Sequence, residues 1–204
     1  MSRHGAGGWN HNIHYHRRIL ASLPPATRTV LDAGAGTGQL AQTLAAAGYA
    51  VTAIDSAAEL AAPPHAAGLT WITGDLLTYD FDTAFDAVVS VAVLHHLPDL
   101  TAALTRLAGL TAPGGTLIVI GLARPTRPSD HLIHAAGAVI HRLQVLRHGW
   151  QTDPAPTCWP PQHSYAQVRR TAAQLLPGAE FRRLPLWRYE LRWRKPPAGA
   201  RLSP

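Results

Sequence analysis

The chain alternates short uninterrupted apolar runs with longer segments in which apolar residues recur every three or four positions. The short runs predict strands buried on both faces, and the longer segments predict helices. The strands are expected at Thr29–Ala33, Ala50–Ile54, Leu69–Thr73, Phe85–Val91 and Thr116–Gly121. The helices between them are expected at Gly38–Ala47, Ser56–Ala62 and Leu100–Leu110, with a turn at 113–115 before the fifth strand. Strands that alternate with helices predict a parallel sheet with right-handed crossovers.

The two ends of the chain depart from this alternation. A helix is expected at Ile13–Ser22, before the first strand. After the fifth strand come a long helix, a Pro-rich irregular segment, a second helix and two strands, at Ser129–Arg147, 150–163, Ser164–Leu176, Ala179–Leu184 and Trp187–Arg194. The last strand alternates apolar and charged residues, so one face is apolar and one is charged, which fits a closing antiparallel pair of strands at the edge of the parallel sheet. The prediction is an α/β fold, Rossmann-like and doubly wound, with a mostly parallel seven-stranded sheet, an antiparallel C-terminal strand and helices on both faces.

The composition favours a globular protein. Of the 204 residues 47% are hydrophobic and 15% are charged, which excludes a disordered polyelectrolyte. No apolar run is long enough to span a membrane and the N-terminus does not look like a signal peptide, so no membrane association and a cytoplasmic location are expected. The single cysteine, Cys158, excludes an internal disulfide and a zinc site built from cysteines.

The formal net charge of +6 raises the question of a nucleic-acid partner. Residues 1–123 carry 5 basic and 8 acidic side chains, whereas residues 124–204 carry 13 and 4. The basic residues are spread along the second part and form no run, and an excess of arginine with abundant alanine is typical of a GC-rich genome. A nucleic-acid partner is therefore not the expectation.

A glycine-rich loop follows the first strand. Val30–Gly38 reads VLDAGAGTG and runs directly into a helix, whose N-terminus offers unpaired N–H groups. Asp55 ends the next strand, where a carboxylate can accept hydrogen bonds from both hydroxyls of a ribose. Together these features predict a nucleoside ligand.

Three details narrow the nucleoside. The loop is GxGxG instead of the GxGxxG that cradles a pyrophosphate, which argues against a nicotinamide dehydrogenase. Asp32 precedes the glycines and suits an ammonium group better than a phosphate. Asp75 follows the third strand and can accept from the exocyclic amine of adenine. A ligand with adenine, ribose and an ammonium group but no diphosphate matches S-adenosylmethionine.

Five segments in order and register resemble the class I S-adenosylmethionine-dependent methyltransferases. They are VLDAGAGTG (30–38), VTAID (51–55), ITGDLL (72–77), FDAVVSVAVLHHLPD (85–99) and LTAPGGTLIVIG (110–121). The family often has Cys at the position of Ala35, where a small residue serves equally well. The resemblance implies that the cofactor is held by Tyr15, His16, Asp32, Gly34, Ala35, Gly36, Gly38, Asp55, Ser56, Asp75, Leu76, Ser90 and Val91.

By the same resemblance the chain is one methyltransferase domain over residues 1–204. It would comprise an N-terminal arm and helix that fold over the cofactor (1–28), a cofactor-binding core (29–122), acceptor-side helices that form a lid (123–178) and a closing strand pair (179–195). Trp9, in the arm with Tyr15 and His16, is expected to take part in covering the cofactor.

His95 and His96 are the candidate catalytic residues. They follow the fourth strand, at the sheet edge where this fold places ligands. Methyl transfer is an in-line displacement, so a base is needed only if the acceptor must lose a proton, and a histidine can take it. The alternative is that one of the pair caps or packs against the next helix.

Other clusters carry weaker hypotheses. His11, His14 and His16 resemble a metal patch, but no carboxylate or cysteine joins them, and no metal is expected. Cys158 as a nucleophile would suggest methylation of a pyrimidine, although a bystander thiol is the favoured interpretation. His134, His141 and His148 share one face of the long helix. The aromatic residues Trp150, Trp159, Tyr165 and Trp187 are either core or lid residues, or walls of an apolar acceptor pocket.

The favoured function is methyl transfer to a small-molecule acceptor, in secondary metabolism. The alternatives are an RNA or DNA methyltransferase, suggested by the basic second part, and an S-adenosylmethionine-binding protein without catalysis. The first alternative is weakened because the fourth strand ends in SVAVLHHL, without the Asn/Asp-Pro-Pro-aromatic motif that grips a base amine.

Overall fold

The computed structural model describes residues 9–57, 66–151 and 158–199. The start of the arm, most of the helix predicted at Ser56–Ala62 and part of the Pro-rich segment lie outside these residues. The strands are β1 (Thr29–Ala33), β2 (Ala50–Asp55), β3 (Leu69–Thr73), β4 (Phe85–Val91), β5 (Thr111–Leu122), β6 (Glu180–Leu184) and β7 (Arg188–Arg194). The helices are α1 (His16–Ser22), α2 (Gln39–Ala46), α3 (Leu100–Leu110), α4 (Pro128–His148) and α5 (Tyr165–Leu175), with 3₁₀ turns at Ile13–Tyr15 and Leu94–His96.

The seven strands form one sheet in the order β3-β2-β1-β4-β5-β7-β6. All pairs are parallel except those of β7, which runs antiparallel to both β5 and β6. The predicted fold class is confirmed, including the antiparallel C-terminal strand. The strand order reverses between β1 and β4, so a crevice opens there at the carboxyl ends of the strands, where α/β proteins bind ligands.

Both faces of the sheet are covered, which explains why its central strands are apolar without alternation. On one face α3 and α5 pack through Leu104, Leu107 and Val168. On the other face α1 and α2 pack through Ile19 and Leu44.

The structure extends β5 beyond its predicted start. The turn predicted at residues 113–115 is wrong, because β5 begins at Thr111 and continues through these residues. The pairing with β4 shifts register between Phe85 and Ala87. Gly114 has a φ of 76°, and a Cβ on Gly115 would lie 2.8 Å from the carbonyl oxygen of Asp86. Two glycines therefore let the chain bend without leaving the sheet.

Local hydrogen bonds fix the ends of several helices. Ser164 and Gln167 form a capping box at the start of α5, at the predicted residue. Asp99 accepts from the backbone N–H of Ala102 at the start of α3. At the other end of α3, Lys195 Nζ donates to the carbonyl oxygen of Ala108 at 2.9 Å and to that of Thr111 at 2.7 Å. Within the described ranges, no helix has the length and apolarity that crossing a bilayer requires.

Candidate active site

A cavity of about 580 Å³ opens at the carboxyl ends of β1, β2 and β4. Its lining combines the glycine-rich loop, the end of β2, the 3₁₀ turn after β4 and the N-terminal arm. Most of the residues predicted to bind the cofactor line this cavity. They are His16, Asp32, Gly34, Ala35, Gly36, Asp55, Ser56, Asp75, Leu76 and Val91. Both candidate catalytic residues, His95 and His96, line the same cavity.

The glycine-rich loop is held against β2 and against the segment after β4. The backbone N–H groups of Gly34 and Ala35 donate to the carbonyl oxygen of Ile54 at 2.9 and 3.0 Å. Gly34 has a φ of 79°, and a Cβ there would lie 2.2 Å from Cγ2 of Val93. Gly36 also has a positive φ, of 55°. The turn therefore needs glycine for its conformation at both positions and for close approach at Gly34.

Asp32 is a buried carboxylate on the cavity wall. It is 1% exposed, and its Oδ2 finds no hydrogen-bond donor among the described residues. Burial raises the pKa of Asp32 to about 7. A cationic group in the cavity would supply the missing partner and favour the ionised form. The buried carboxylate of Asp32 therefore fits the ammonium group of an amino acid.

Asp55 is already oriented by the backbone. Its Oδ2 accepts from the N–H of Gly36 at 2.7 Å, and its Oδ1 accepts from the N–H of Ala57 at 2.9 Å. Each carboxylate oxygen keeps a further lone pair for a ligand hydroxyl. Gly36 thereby links the glycine-rich loop to the end of β2, so that the two predicted binding segments form one rigid wall.

Asp75 and Leu76 form another part of the wall. Asp75 is exposed, and its Oδ1 accepts from the N–H of Leu77 at 2.8 Å. Leu76 is buried and belongs to the core beneath. The pair offers a polar acceptor beside an apolar surface, which suits the edge and the face of an aromatic ring.

Three residues predicted to bind the cofactor do not line the cavity. Tyr15 is buried, and its hydroxyl donates to the carbonyl oxygen of Pro185 at 2.5 Å. Ser90 Oγ donates to the carbonyl oxygen of Ala33 at 2.9 Å inside the sheet. Gly38 is the N-cap of α2, with a φ of 75°. In this structure each of the three supports the elements that surround the cavity.

The two histidines after β4 differ in burial. His95 is 5% exposed, whereas His96 is exposed, and their ring centroids are 4.0 Å apart. Burial, with smaller effects of His96 and Arg188, lowers the pKa of His95 to about 3. His95 is therefore neutral at pH 7. Among the described residues its buried Nδ1 has no hydrogen-bond partner.

His16 faces the cavity from the arm, as predicted for a segment that folds over the ligand. Its Nδ1 lies 3.2 Å from Oγ1 of Thr43 on α2. Burial lowers the pKa of His16 to about 4, so this histidine is also neutral at pH 7. Its contact with Thr43 fixes the arm to the helix that follows the glycine-rich loop.

Several residues that line the cavity were not assigned to it by sequence reasoning. The polar and charged ones in or beside the arm are Asn10, His11, Asn12 and Arg188. The first three belong to the polar arm, where the sequence WNHNIHYH was a signal for a covering segment but did not show which side chains face inward. Asn10 Oδ1 accepts from the N–H groups of Asn12 and Ile13, both at 2.9 Å, and so sets the turn that brings the arm over the cavity.

The histidines considered for a metal patch are dispersed. His11 Nε2 lies 3.0 Å from Nδ1 of His141 on α4, and His14 packs edge-on against Tyr15. Across the described ranges, no group of three His, Cys, Asp or Glu side chains is placed to hold a metal ion.

Of the side chains that the structure describes in the predicted lid region, most lie outside the cavity wall. Trp9, His11, His141 and Trp150 form an aromatic cluster between the arm and α4. Trp150 alone of the aromatic residues proposed as pocket walls also lines the cavity. Trp187 contacts His11 and His141 from outside it, Tyr165 packs against Tyr189 in the core, and Trp159 is 65% exposed.

Three further residues considered in the sequence analysis lie outside the cavity lining. Cys158 is partly buried and is not in the cavity lining. His134 Nε2 lies 3.4 Å from the hydroxyl oxygen of Tyr165, and His148, on the same helix, is exposed.

Comparison with known proteins places the chain in a family. Residues 31–119 match the family model described as a methyltransferase domain. An uncharacterized methyltransferase of Mycobacterium tuberculosis (strain ATCC 25618 / H37Rv) is 39% identical over 193 residues, which cover 92% of this chain and 98% of the relative. The chain belongs to the methyltransferase family, and the predictions of the family and of an enzyme are confirmed.

Two other similarities agree with this assignment. The ubiquinone biosynthesis O-methyltransferase of Xanthomonas axonopodis pv. citri (strain 306) is 36% identical over 130 residues, which span 59% of this chain and about half of that relative. The structure of the DhpI–SAH complex superimposes with a TM-score of 0.63 at 19% identity, covering 89% of this chain and 82% of that one. The second similarity supports the class I methyltransferase fold. That structure is a complex with SAH, which agrees with the predicted cofactor.

Proposed function

We propose that this chain binds S-adenosylmethionine in the cavity at the ends of β1, β2 and β4 and transfers its methyl group to a small-molecule acceptor. The observation that carries the proposal is that one cavity contains both the carboxylates suited to the cofactor and the polar groups suited to an acceptor. We further propose a role in secondary metabolism, and the cytoplasmic location stays a prediction from the composition.

Three carboxylates would hold the cofactor. Asp32 would pair with its ammonium group, Asp55 with its ribose hydroxyls and Asp75 with its adenine amine. The glycine-rich loop lets the backbone approach the methionine part closely. When bound, S-adenosylmethionine supplies a methyl carbon activated by a positively charged sulfur.

His95 and His96 would assist at the acceptor. The neutral His95 lines the cavity, and an imidazole nitrogen could accept a hydrogen bond from an acceptor hydroxyl or amine and orient its lone pair for in-line attack. Because its pKa is low, His95 is a weak base in the empty cavity, so orientation is its main contribution. The more exposed His96 would pass a proton to solvent.

The arm would exclude water from the reaction. Its residues Asn10, His11 and Asn12 line the cavity, and the arm is joined to the segment after α4 by the hydrogen bond from the N–H of Gln151 to the carbonyl oxygen of Trp9 at 3.0 Å. A closed site prevents hydrolysis and strengthens the polar contacts inside.

A small-molecule acceptor is favoured over a nucleic acid because several basic residues of the second part make internal contacts. Arg183 pairs with the buried Asp130, and Lys195 caps the end of α3. Arg188 is buried in the cavity wall. These side chains do not add to an exposed basic surface, which binding to a phosphate backbone requires. The relative from Xanthomonas is named for O-methylation in ubiquinone biosynthesis, which is also small-molecule chemistry.

Calorimetric titration of the purified chain tests the cofactor assignment. We expect S-adenosylmethionine and S-adenosylhomocysteine to bind with micromolar affinity, on the order of −8 kcal/mol, and NAD not to bind. Binding of NAD without the two sulfur nucleosides would overturn the proposal.

Two variants then separate binding from catalysis. Asp55→Ala is expected to abolish cofactor binding, whereas His95→Ala should bind S-adenosylhomocysteine normally and lose activity. Transfer of a labelled methyl group to metabolite fractions, with RNA and DNA assayed in parallel at two salt concentrations, identifies the acceptor class. Labelling of nucleic acid alone would replace the small-molecule proposal, and cofactor binding without any transfer would favour the non-catalytic alternative.

A further inference from the structure

Helix α4 carries an apolar stripe that faces solvent. Val139, Leu143 and Leu146 recur at spacings of four and three residues, so they lie on one face of the helix, and they are 61, 56 and 83% exposed. Trp150, just after the helix, is half exposed and also lines the cavity. Four of the six large hydrophobic side chains that are exposed among the described residues therefore lie between positions 139 and 150. Exposed apolar side chains that cluster in this way mark an interaction surface, whereas scattered ones do not.

The opposite face of α4 attaches the helix to the rest of the protein. A Cβ on Gly137 would lie 3.0 Å from the backbone nitrogen of Leu186, so the helix closely approaches the turn before β7. One turn later, Nδ1 of His141 lies 3.0 Å from Nε2 of His11 in the arm. Because successive residues of a helix are about 100° apart, Gly137 and His141 lie on the side opposite to the stripe. The stripe therefore points away from the protein.

Two arginines border the stripe. Arg142 and Arg147 are exposed, and each lies about 70° from the centre of the stripe, on either side of it. The one acidic residue in the α4 sequence, Asp130, is buried at the start of the helix and pairs with Arg183. The exposed face of α4 thus combines apolar side chains with positive charge, and the helix sequence provides no second acid to neutralise that charge.

We propose that the exposed face of α4 binds the surface of an anionic lipid bilayer. An apolar stripe bordered by arginines is typical of helices that lie in the plane of the interface, where the apolar side chains insert among the acyl chains and the arginines meet lipid phosphates. Trp150 suits the same depth, because its ring is apolar with one polar N–H. The expectation of no membrane association rested on the lack of a spanning segment, and an interfacial helix needs none.

Two other occupants match only part of this surface. A second copy of the chain would cover the stripe, but packing stripe against stripe would also bring the arginines of both copies together without an acid on either helix to pair with them. An RNA would pair with the arginines and leave the stripe in water. A bilayer with anionic headgroups meets both the apolar and the basic part of the surface.

Cosedimentation of the full chain with lipid vesicles tests the proposal. One set of vesicles is phosphatidylcholine with about 30% phosphatidylglycerol, which gives an anionic surface, and the other is phosphatidylcholine alone. We expect the chain to bind the anionic vesicles at least about tenfold more tightly, and this binding should weaken as salt is added. The measurement involves neither the cofactor nor methyl transfer, so its result is independent of the proposed function.

Two double variants separate the two parts of the surface. Arg142→Gln with Arg147→Gln should bind the anionic vesicles about 25-fold more weakly, since each arginine near such a surface contributes about fivefold. Leu143→Gln with Leu146→Gln keeps the charge and should bind at least about tenfold more weakly, because the stripe no longer inserts. All four side chains are exposed, and glutamine favours the helix, so thermal unfolding should match that of the natural chain.

Arg169→Gln with Arg170→Gln is the matched control, because it removes the same charge from exposed positions of α5. It should bind vesicles like the natural chain, and an equal loss in this control overturns the proposal. No binding by the natural chain, or equal binding to both kinds of vesicle, overturns it as well. A loss in the arginine variant alone replaces the bilayer with a polyanion such as RNA. A dimer that only the leucine variant dissociates, without vesicle binding, replaces it with a second copy. If one double variant does not fold, the other decides.

Discussion

At the scale of single residues, Asp32 controls how the cavity responds to pH. Burial raises its pKa from 3.8 to about 7, so the carboxyl group is only partly ionised near neutrality. The ionised form attracts an ammonium group, and the protonated form does not. We expect the affinity for S-adenosylhomocysteine to rise about tenfold from pH 6 to pH 8, following the ionised fraction.

Calorimetric titration across this pH range checks the prediction. Asp32→Asn should bind the ligand about tenfold more weakly at pH 8, because a charge-assisted contact becomes a neutral one, and its affinity should not change with pH. Asp82→Asn is the control, since Asp82 is exposed and outside the cavity lining. A pH dependence that persists in Asp32→Asn would assign the titration to another group.

The same carboxylate costs stability when the cavity is empty. The folded-state pKa is above the unfolded value of 3.8, so the folded protein holds its proton more tightly, and the free energy of unfolding falls as the pH rises from about 4 to about 7. Asp32→Asn removes this cost. Urea denaturation should find the variant more stable than the natural chain at pH 8, with a smaller difference at pH 5. A variant that is less stable at both pH values would contradict this account.

At the scale of elements, the glycine-rich loop depends on two distinct properties of glycine. Gly36→Ala meets no atom within 4 Å and should cost only the positive φ, about 1 kcal/mol. Gly34→Ala pays the same conformational cost and also overlaps Val93, so it should cost about 2–4 kcal/mol. Urea denaturation measures both values.

A second substitution separates the two costs. Val93→Ala removes the atoms that a Cβ on Gly34 would meet, so it should recover part of the loss in Gly34→Ala. It should recover nothing in Gly36→Ala. Equal recovery in both backgrounds would mean that Val93 acts through some general effect on stability.

The N-terminal helix is attached to the sheet by one bidentate ion pair. Arg18 donates to both oxygens of Glu190, at 2.9 and 2.7 Å, and Glu190 is 1% exposed. Arg18→Met leaves this carboxylate buried without its cation, which costs about 3–5 kcal/mol for a fully buried pair. Because the Arg18 side chain is 40% exposed, we expect a smaller loss, of about 2 kcal/mol.

The exposed pair of Arg182 and Glu180 provides the control. Both side chains are 58% exposed, so Arg182→Met should change the free energy of unfolding by less than about 0.5 kcal/mol. Comparable losses in the two variants would show that the burial of Glu190 does not govern the cost.

At the scale of the whole molecule, ligand binding couples to folding. A ligand that binds only the folded protein stabilises it by about 2.7 kcal/mol at a hundredfold excess over its Kd. For a chain of this size that corresponds to a rise in the midpoint temperature of about 5–10 °C. Thermal unfolding with S-adenosylhomocysteine should show this rise, and NAD at the same concentration should give none. A shift with both would indicate nonspecific binding.

Much of the architecture could be predicted from the chain, because both faces of the sheet are buried and the pattern is therefore strong. The apolar runs gave strands β1 to β4 within a residue of their observed bounds, and Ser164 marked the start of α5. The beginning of β5 was missed, since Gly114 and Gly115 indicate a turn locally and only the pairing with β4 keeps them in the sheet. Local signals cannot report a constraint imposed by a neighbouring strand.

The candidate site was predictable where its residues follow a strand. Asp32 is the last residue but one of β1, Asp55 ends β2 and Asp75 follows β3. The carboxyl ends of parallel strands meet at one edge whatever the details of packing. Ser90 shows the limit of this reasoning, because its position in β4 did not reveal that its hydroxyl faces Ala33 inside the sheet.

The sequence by itself determined the sheet, the nucleoside-binding motifs and the family, because each depends on short stretches whose spacing is fixed along the chain. The tertiary structure decided which distant side chains complete the cavity. Arg188 enters it because antiparallel β7 returns the end of the chain to the ligand edge, and Asn12 joins it from the arm. These residues are 176 positions apart, and the packing of the arm against the strand brings them together in the cavity wall.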